Sequence, residues 1–141
     1  EGGTAYVALT QLGVDKAVAC FQVQPSLRNC NCTVLSANNV TLAHGPQFLA
    51  AKDPSNDVSY IALARLDVDK AVLCYKTLPA TCNVLEASGD LLTVGPDLVV
   101  DPAASHVQLA SLRAGDAAVC YRRVNTLSGD CNMLTASGLL L

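Results

Sequence analysis

The chain repeats itself three times, and that self-similarity constrains its fold more than any other feature. Residues 7–21 read VALTQLGVDKAVACF, residues 61–75 IALARLDVDKAVLCY and residues 107–121 VQLASLRAGDAAVCY, and the three align without a gap. In each, an apolar residue is followed thirteen positions later by Cys and then by Phe or Tyr. A second block reads CTVLSANNVTLAHGP from Cys32, CNVLEASGDLLTVGP from Cys82 and CNMLTASGLLL from Cys131. The first two reach Gly45-Pro46 and Gly95-Pro96, whereas the third stops at Leu141, short of the equivalent of residues 93–100. A period of about fifty residues marks a modular fold, in which each copy is one supersecondary unit that buries its apolar surface against its neighbours. The copies are placed at 1–56, 57–103 and 104–141, the last incomplete.

Within a copy the pattern is that of strands. Val7, Leu9 and Leu12, repeated as Ile61, Leu63 and Leu66, give near-period-two patterning with one slip, as a strand with a bulge would. Gly13-Val14-Asp15, Asp67-Val68-Asp69 and Arg113-Ala114-Gly115 follow as turns, and residues 17–21 and their equivalents read as buried strands ending in an aromatic. Asn38-Asn39, Ser88-Gly89 and Ser137-Gly138 supply residues that tolerate positive φ in tight turns. Gly-Pro breaks the fourth strand, and Asp53-Pro54 and Asp101-Pro102 open the connection to the next copy. No helical period is sustained, so each copy is expected to be a four-stranded antiparallel meander.

The cysteines follow the same plan. One sits on the second strand and one at the start of the third in every copy, which pairs Cys20 with Cys32, Cys74 with Cys82 and Cys120 with Cys131. Loops of about ten residues make each bond worth about 2–3 kcal/mol through restriction of the unfolded chain. Such support suits the aliphatic core of a chain that is 51% apolar but has no Trp and only 4% aromatics. Cys30 has no counterpart and is either an unpaired thiol, an alternative partner for Cys20 or the source of an intermolecular disulfide. Three bonds point to an oxidising, extracellular setting. A first residue of Glu1 rather than Met suggests a processed product or a fragment.

The motif Ala71-Val72-Leu73-Cys74-Tyr75, then Cys82 to Leu85, Ser88-Gly89 and Gly95-Pro96, resembles that of secreted tandem-repeat proteins of unknown function. Their blades are β-propeller-like and carry A-V-x-C-Y, C-x-x-L, S-G and G-P in that order. The resemblance covers nearly the whole chain and implies a propeller-like fold outside the cell, with no activity attached. Three blades fall short of the usual four to eight. Two chains closing a six-bladed ring, a longer repeat protein, or a closed threefold fold such as a β-trefoil or β-prism are the ways to complete them.

Groups able to do chemistry are sparse. A net charge of −3 and a single basic doublet, Arg122-Arg123, argue against nucleic acid. No apolar run is long enough to span a bilayer. His44 aligns with Val94 and His106 with Tyr60, so neither imidazole recurs, and both read as structural or solvent-exposed. Asp15 and Asp69 recur in the first turn but Gly115 replaces them in the third copy, which fits turn chemistry better than a Ca²⁺ site. No cofactor, metal or catalytic set is expected. Asn31-Cys32-Thr33 and Asn39-Val40-Thr41 are glycosylation sequons, the second on a turn. The leading expectation is a non-enzymatic extracellular structural or assembly protein, self-associating as an oligomer or filament. The alternative is a lectin-like module whose Tyr6, Tyr60 and His106 form the recurring platform for glycans.

Overall fold

Short apolar stretches separated by Gly, Asn and Asp turns build strands throughout residues 6–23, 29–52, 58–77 and 79–141, which the computed structural model describes. Thirteen strands form three antiparallel sheets, and no helix occurs among these residues. The first sheet holds β1 (Val7–Gln11), β2 (Lys16–Gln22), β3 (Asn29–Asn38), β4 (Thr41–His44) and β5 (Phe48–Lys52). The second holds β6 (Ser59–Asp67), β7 (Lys70–Lys76), β8 (Ala80–Ser88), β9 (Leu91–Val94) and β10 (Leu98–Asp101). The third holds β11 (Ala104–Ser111), β12 (Asp116–Arg123) and β13 (Gly129–Thr135), and a single bridge between Ser137 and Leu140 follows it. Asp53-Pro54 lies outside the described residues.

In the first two sheets the third strand is long enough to carry two partners on its far edge. β3 pairs with β4 through residues 35–38 and with β5 through residues 29–32, and β8 pairs with β9 and β10 in the same way. The break between the two partners falls at Gly45-Pro46 and Gly95-Pro96, where Pro cannot donate to the ladder. The slip after Leu63 is a register shift between Arg65 and Asp67, and a second shift lies between Ser59 and Ala62. Asn39, Gly89 and Gly138 all have positive φ (55°, 62° and 66°), as the second hairpin turn requires. At the first turn Asp69 (57°) and Gly115 (83°) do so too.

Each sheet has two apolar faces, because side chains alternate along every strand. One face carries the cysteine pair together with Leu12, Val18 and Val34 or their equivalents. The other carries Ala17, Leu35 and Leu42 or theirs, and is called here the leucine face. The cysteine face of the first sheet packs on the leucine face of the second, so that Leu12, Val18 and Val34 meet Ala71, Leu73, Leu85 and Leu92. The cysteine face of the second sheet packs likewise on the leucine face of the third, bringing Leu66, Val72 and Val84 against Ala117, Val119 and Leu134. The middle sheet is covered on both sides, so residues 71–75 of β7 are all buried, whereas β2 alternates.

Backbone contacts repeat at these junctions. The Asp69 N–H donates to the Leu12 carbonyl (3.2 Å) and the Gly115 N–H to the Leu66 carbonyl (2.8 Å), so each first turn is tied to its predecessor. Lys16 adds an ion pair to Asp69 at 2.8 Å. Arg123 binds Asp101 at 2.8 Å and Asp130 at 3.3 Å, fastening the end of β10 to the third sheet. The Ala103 N–H and then the Arg123 guanidinium hold the Asp101 carboxyl below the usual carboxylate range.

The three sheets stay open and follow one another in series. A closed β-trefoil or β-prism is therefore not what they form, because closure needs the first and third units to meet as the first and second do.

Gly45 and Gly95 occupy the closest inter-sheet approach. A Cβ on Gly45 would meet the Asp90 carbonyl of the next sheet at 2.5 Å, and one on Gly95 would overlap the Leu139 carbonyl. Gly45→Ala and Gly95→Ala are each expected to cost about 1–3 kcal/mol through overpacking. Gly129→Ala, where nothing lies within 4 Å, is expected to stay within about 0.5 kcal/mol of the parent. Chemical denaturation of the three variants checks this.

Candidate functional site

The sulfur-bearing positions are the most concentrated chemistry in the fold. In each sheet the two cysteines face each other in register: Cys20 opposite Cys32, Cys74 opposite Cys82 and Cys120 opposite Cys131. All three pairs are disulfide-bonded, each with its Cα atoms 4.1 Å apart. Such proximity follows from direct cross-strand opposition. The first two bonds are buried between sheets. In the third, Cys131 is exposed and Cys120 half-buried, because no sheet covers that face.

Cys30 is a free thiol, fully enclosed in the core between the first two sheets. It lies two residues from Cys32 on the same strand face, and its sulfur is within 4.8 Å of those of Cys20 and Cys32. Burial pushes its pKa up to about 12, against a smaller opposing effect of a backbone hydrogen bond with Phe21. An intermolecular disulfide through Cys30 is thus closed to the folded protein. With Cys20 and Cys32 already bonded, the trio offers one sulfur rather than a metal-ligand set.

The two histidines stand apart from this cluster. His44 is exposed and its Nδ1 lies 3.1 Å from the Gly45 carbonyl. His106 Nδ1 contacts the Ser105 hydroxyl at 3.0 Å. Tyr6, Tyr60 and His106, one from each sheet's leading edge, form a ladder with centroids 5.6 and 4.2 Å apart. Tyr60 and His106 reach it from left-handed backbone, φ 49° and 54°, beside the bulges in β6 and β11. The rings are tilted by 47° and 40° to one another, with Tyr6 and His106 exposed and Tyr60 half-buried, so the three residues make a rung between sheets.

Asp69 spends its carboxylate on Lys16, and Asp15 lies on the exposed first turn of the first sheet. Asn39 and Val40 are exposed on their turn. Asn31 is half-buried in β3 between two paired strands, and its amide donates to Gln47 Oε1 at 3.3 Å. Of the two sequon positions, Asn39 is the more exposed.

The apolar faces at the two ends of the stack were not among the sites expected from the sequence. Among the described residues no other sheet covers the leucine face of the first sheet: Leu9 is 61% and Leu42 71% exposed, and with Ala17, Leu35 and Ala37 they line a shallow cleft of about 270 Å³. The cysteine face of the third sheet is equally bare, with Leu112 58% and Met133 63% exposed. The signal was present, because Leu9, Ala17, Leu35 and Ala37 are the same residue types in all three copies, as a face with a constant partner requires. No protein-family model matches the chain, and no curated protein shows significant similarity to it.

Two outcomes follow from the sulfur environments. Mild reductant is expected to open Cys120–Cys131 before the two buried bonds, as mass spectrometry after stepwise reduction and alkylation will show. Iodoacetamide at pH 8 is expected to leave Cys30 unlabelled in the native protein and to add one carbamidomethyl group once denaturant is present. A native protein that is labelled at Cys30 would contradict its burial.

Proposed function

We propose that this chain is a non-enzymatic, extracellular structural protein that self-associates, its three sheets serving as β-propeller-like blades in a fibre or surface coat. The observation that carries the reading is that one sheet-to-sheet contact is made twice in a single chain. It has the same faces, the same turn-to-turn hydrogen bond and a disulfide at the same place in each sheet. Groups capable of chemistry do not recur in this way: the imidazoles occupy different positions in their copies and the free thiol occurs once. Selection on construction leaves such a record; selection on a reaction leaves convergent titratable groups at one cleft.

Three disulfides are typical of proteins that mature in an oxidising compartment, and the secreted tandem-repeat proteins that the motif resembles share that setting. A glycan at Asn39 fits the same reading. No helix of the described residues is long and apolar enough to cross a membrane. Two routes to assembly are open on this fold. β13 is the end strand of the third sheet and offers its edge for strand addition, while the bare faces at the two ends of the stack offer end-to-end packing.

Sedimentation velocity over a rising concentration series, with electron microscopy of the same samples, tests the reading. The expected result is a population larger than one chain that grows with concentration. A stable monomer at high concentration would overturn it.

A further inference from the structure

We infer that two copies of this chain join head to tail, the bare leucine face of the first sheet in one copy covering the bare cysteine face of the third sheet in the other. This deepens the self-association proposed above and rests on it. The chain itself supplies the template. Wherever a leucine face is covered in this protein, a cysteine face of the preceding sheet covers it, and this happens at both internal junctions.

The residues left bare are those that the internal junctions bury. Leu12 and Leu66 are 1% and 2% exposed, yet their equivalent Leu112 is open. Val34 and Val84 are fully buried, and their equivalent is the open Met133. On the other face, Ala71, Leu85 and Leu92 are buried while Ala17 and Leu35 are only half-covered and Leu42 is open. The two bare faces are therefore complementary in the way that the internal pairs are. Since neither face matches itself, the contact is heterologous rather than a twofold one.

Polar groups at the two ends agree with the same docking. The internal junctions use the turn N–H of Asp69 or Gly115 and the carbonyl of Leu12 or Leu66. The corresponding groups at the ends of the stack are the N–H of Asp15 and the carbonyl of Leu112. Lys16 supplies the cation for Asp69 at the first junction. At the intermolecular junction the third sheet presents Arg113, whose side chain is exposed and which already binds Asp116 in its own turn. The position equivalent to Lys16 in the third sheet is Asp116, which Arg113 neutralises, so this junction does not repeat the Lys16–Asp69 pair and rests on the apolar faces and the turn backbone groups.

Paired blocking variants test this. Leu9→Glu with Leu42→Glu closes the leucine face, and Leu112→Glu with Met133→Glu closes the cysteine face. All four side chains are exposed, so both variants should fold, which far-UV circular dichroism and the three disulfides verify. The expected result by sedimentation velocity is that the parent assembles, each variant alone is monomeric, and an equimolar mixture forms a one-to-one heterodimer through the single intact junction. Parent-like assembly of both variants would overturn these faces as the contact while leaving self-association, by strand addition, intact. Monomeric variants that stay monomeric on mixing would overturn the head-to-tail geometry. A monomeric parent would remove self-association itself, and with it the second copy as the occupant of these faces.

Discussion

Everything in this structure depends on one sheet lying flat against the next. The four-stranded meander expected of each copy is a sheet of five, five and three strands in turn, because β3 and β8 are long enough to pair with two strands each. Such a single sheet has no interior, and the side chains here are mostly aliphatic, small and uncharged. Val, Leu, Ala and Cys become a core only when a second sheet excludes water from them. The middle sheet shows the finished state, with both faces buried and an unbroken apolar β7. The outer sheets each show half of it. Because the two faces of a sheet differ, the contact has a direction, and it carries the same hydrogen bond at the same turn each time it is made.

The disulfides act on a different link of the chain of causes. Each spans neighbouring strands within one sheet, so it holds a hairpin in register and leaves sheet-to-sheet packing to non-covalent contacts. Separations of 12, 8 and 11 residues restrict the unfolded chain modestly. The division of labour is clear. Sulfur fixes each unit, aliphatic surface joins units, and a few polar groups such as Lys16–Asp69 and Arg123–Asp101 set their alignment.

Much of this was legible in the residues because local rules governed it. The turn residues Asn39, Gly89 and Gly138 adopt the positive φ that their chemistry suggests, and cysteines at matching positions meet across a hairpin. The features that were not legible are those imposed from another sheet. Gly45 and Gly95 look like strand breakers, yet their missing side chains also admit a neighbouring carbonyl, a demand that nothing within the repeat announces. The ring ladder of Tyr6, Tyr60 and His106 depends in the same way on stacking. His106 read from the sequence as structural or solvent-exposed because Tyr60 replaces it in a sister copy, and a rung filled by three rings tolerates that exchange. Cys30 showed only as an odd cysteine, because its burial is set by the second sheet.

The position of that thiol has a consequence for how the first hairpin finds its register. Cys30 and Cys32 are two residues apart, so pairing Cys20 with the wrong one would slide β2 along β3 by an even step. An even slip returns every side chain to its original face. The apolar pattern therefore cannot distinguish the mispaired hairpin from the native one during oxidation. Discrimination falls to whatever needs the native step, namely the place of β5 beside β3 and the arrival of the second sheet. The packing of the second sheet on the cysteine face thus favours the register that pairs Cys20 with Cys32.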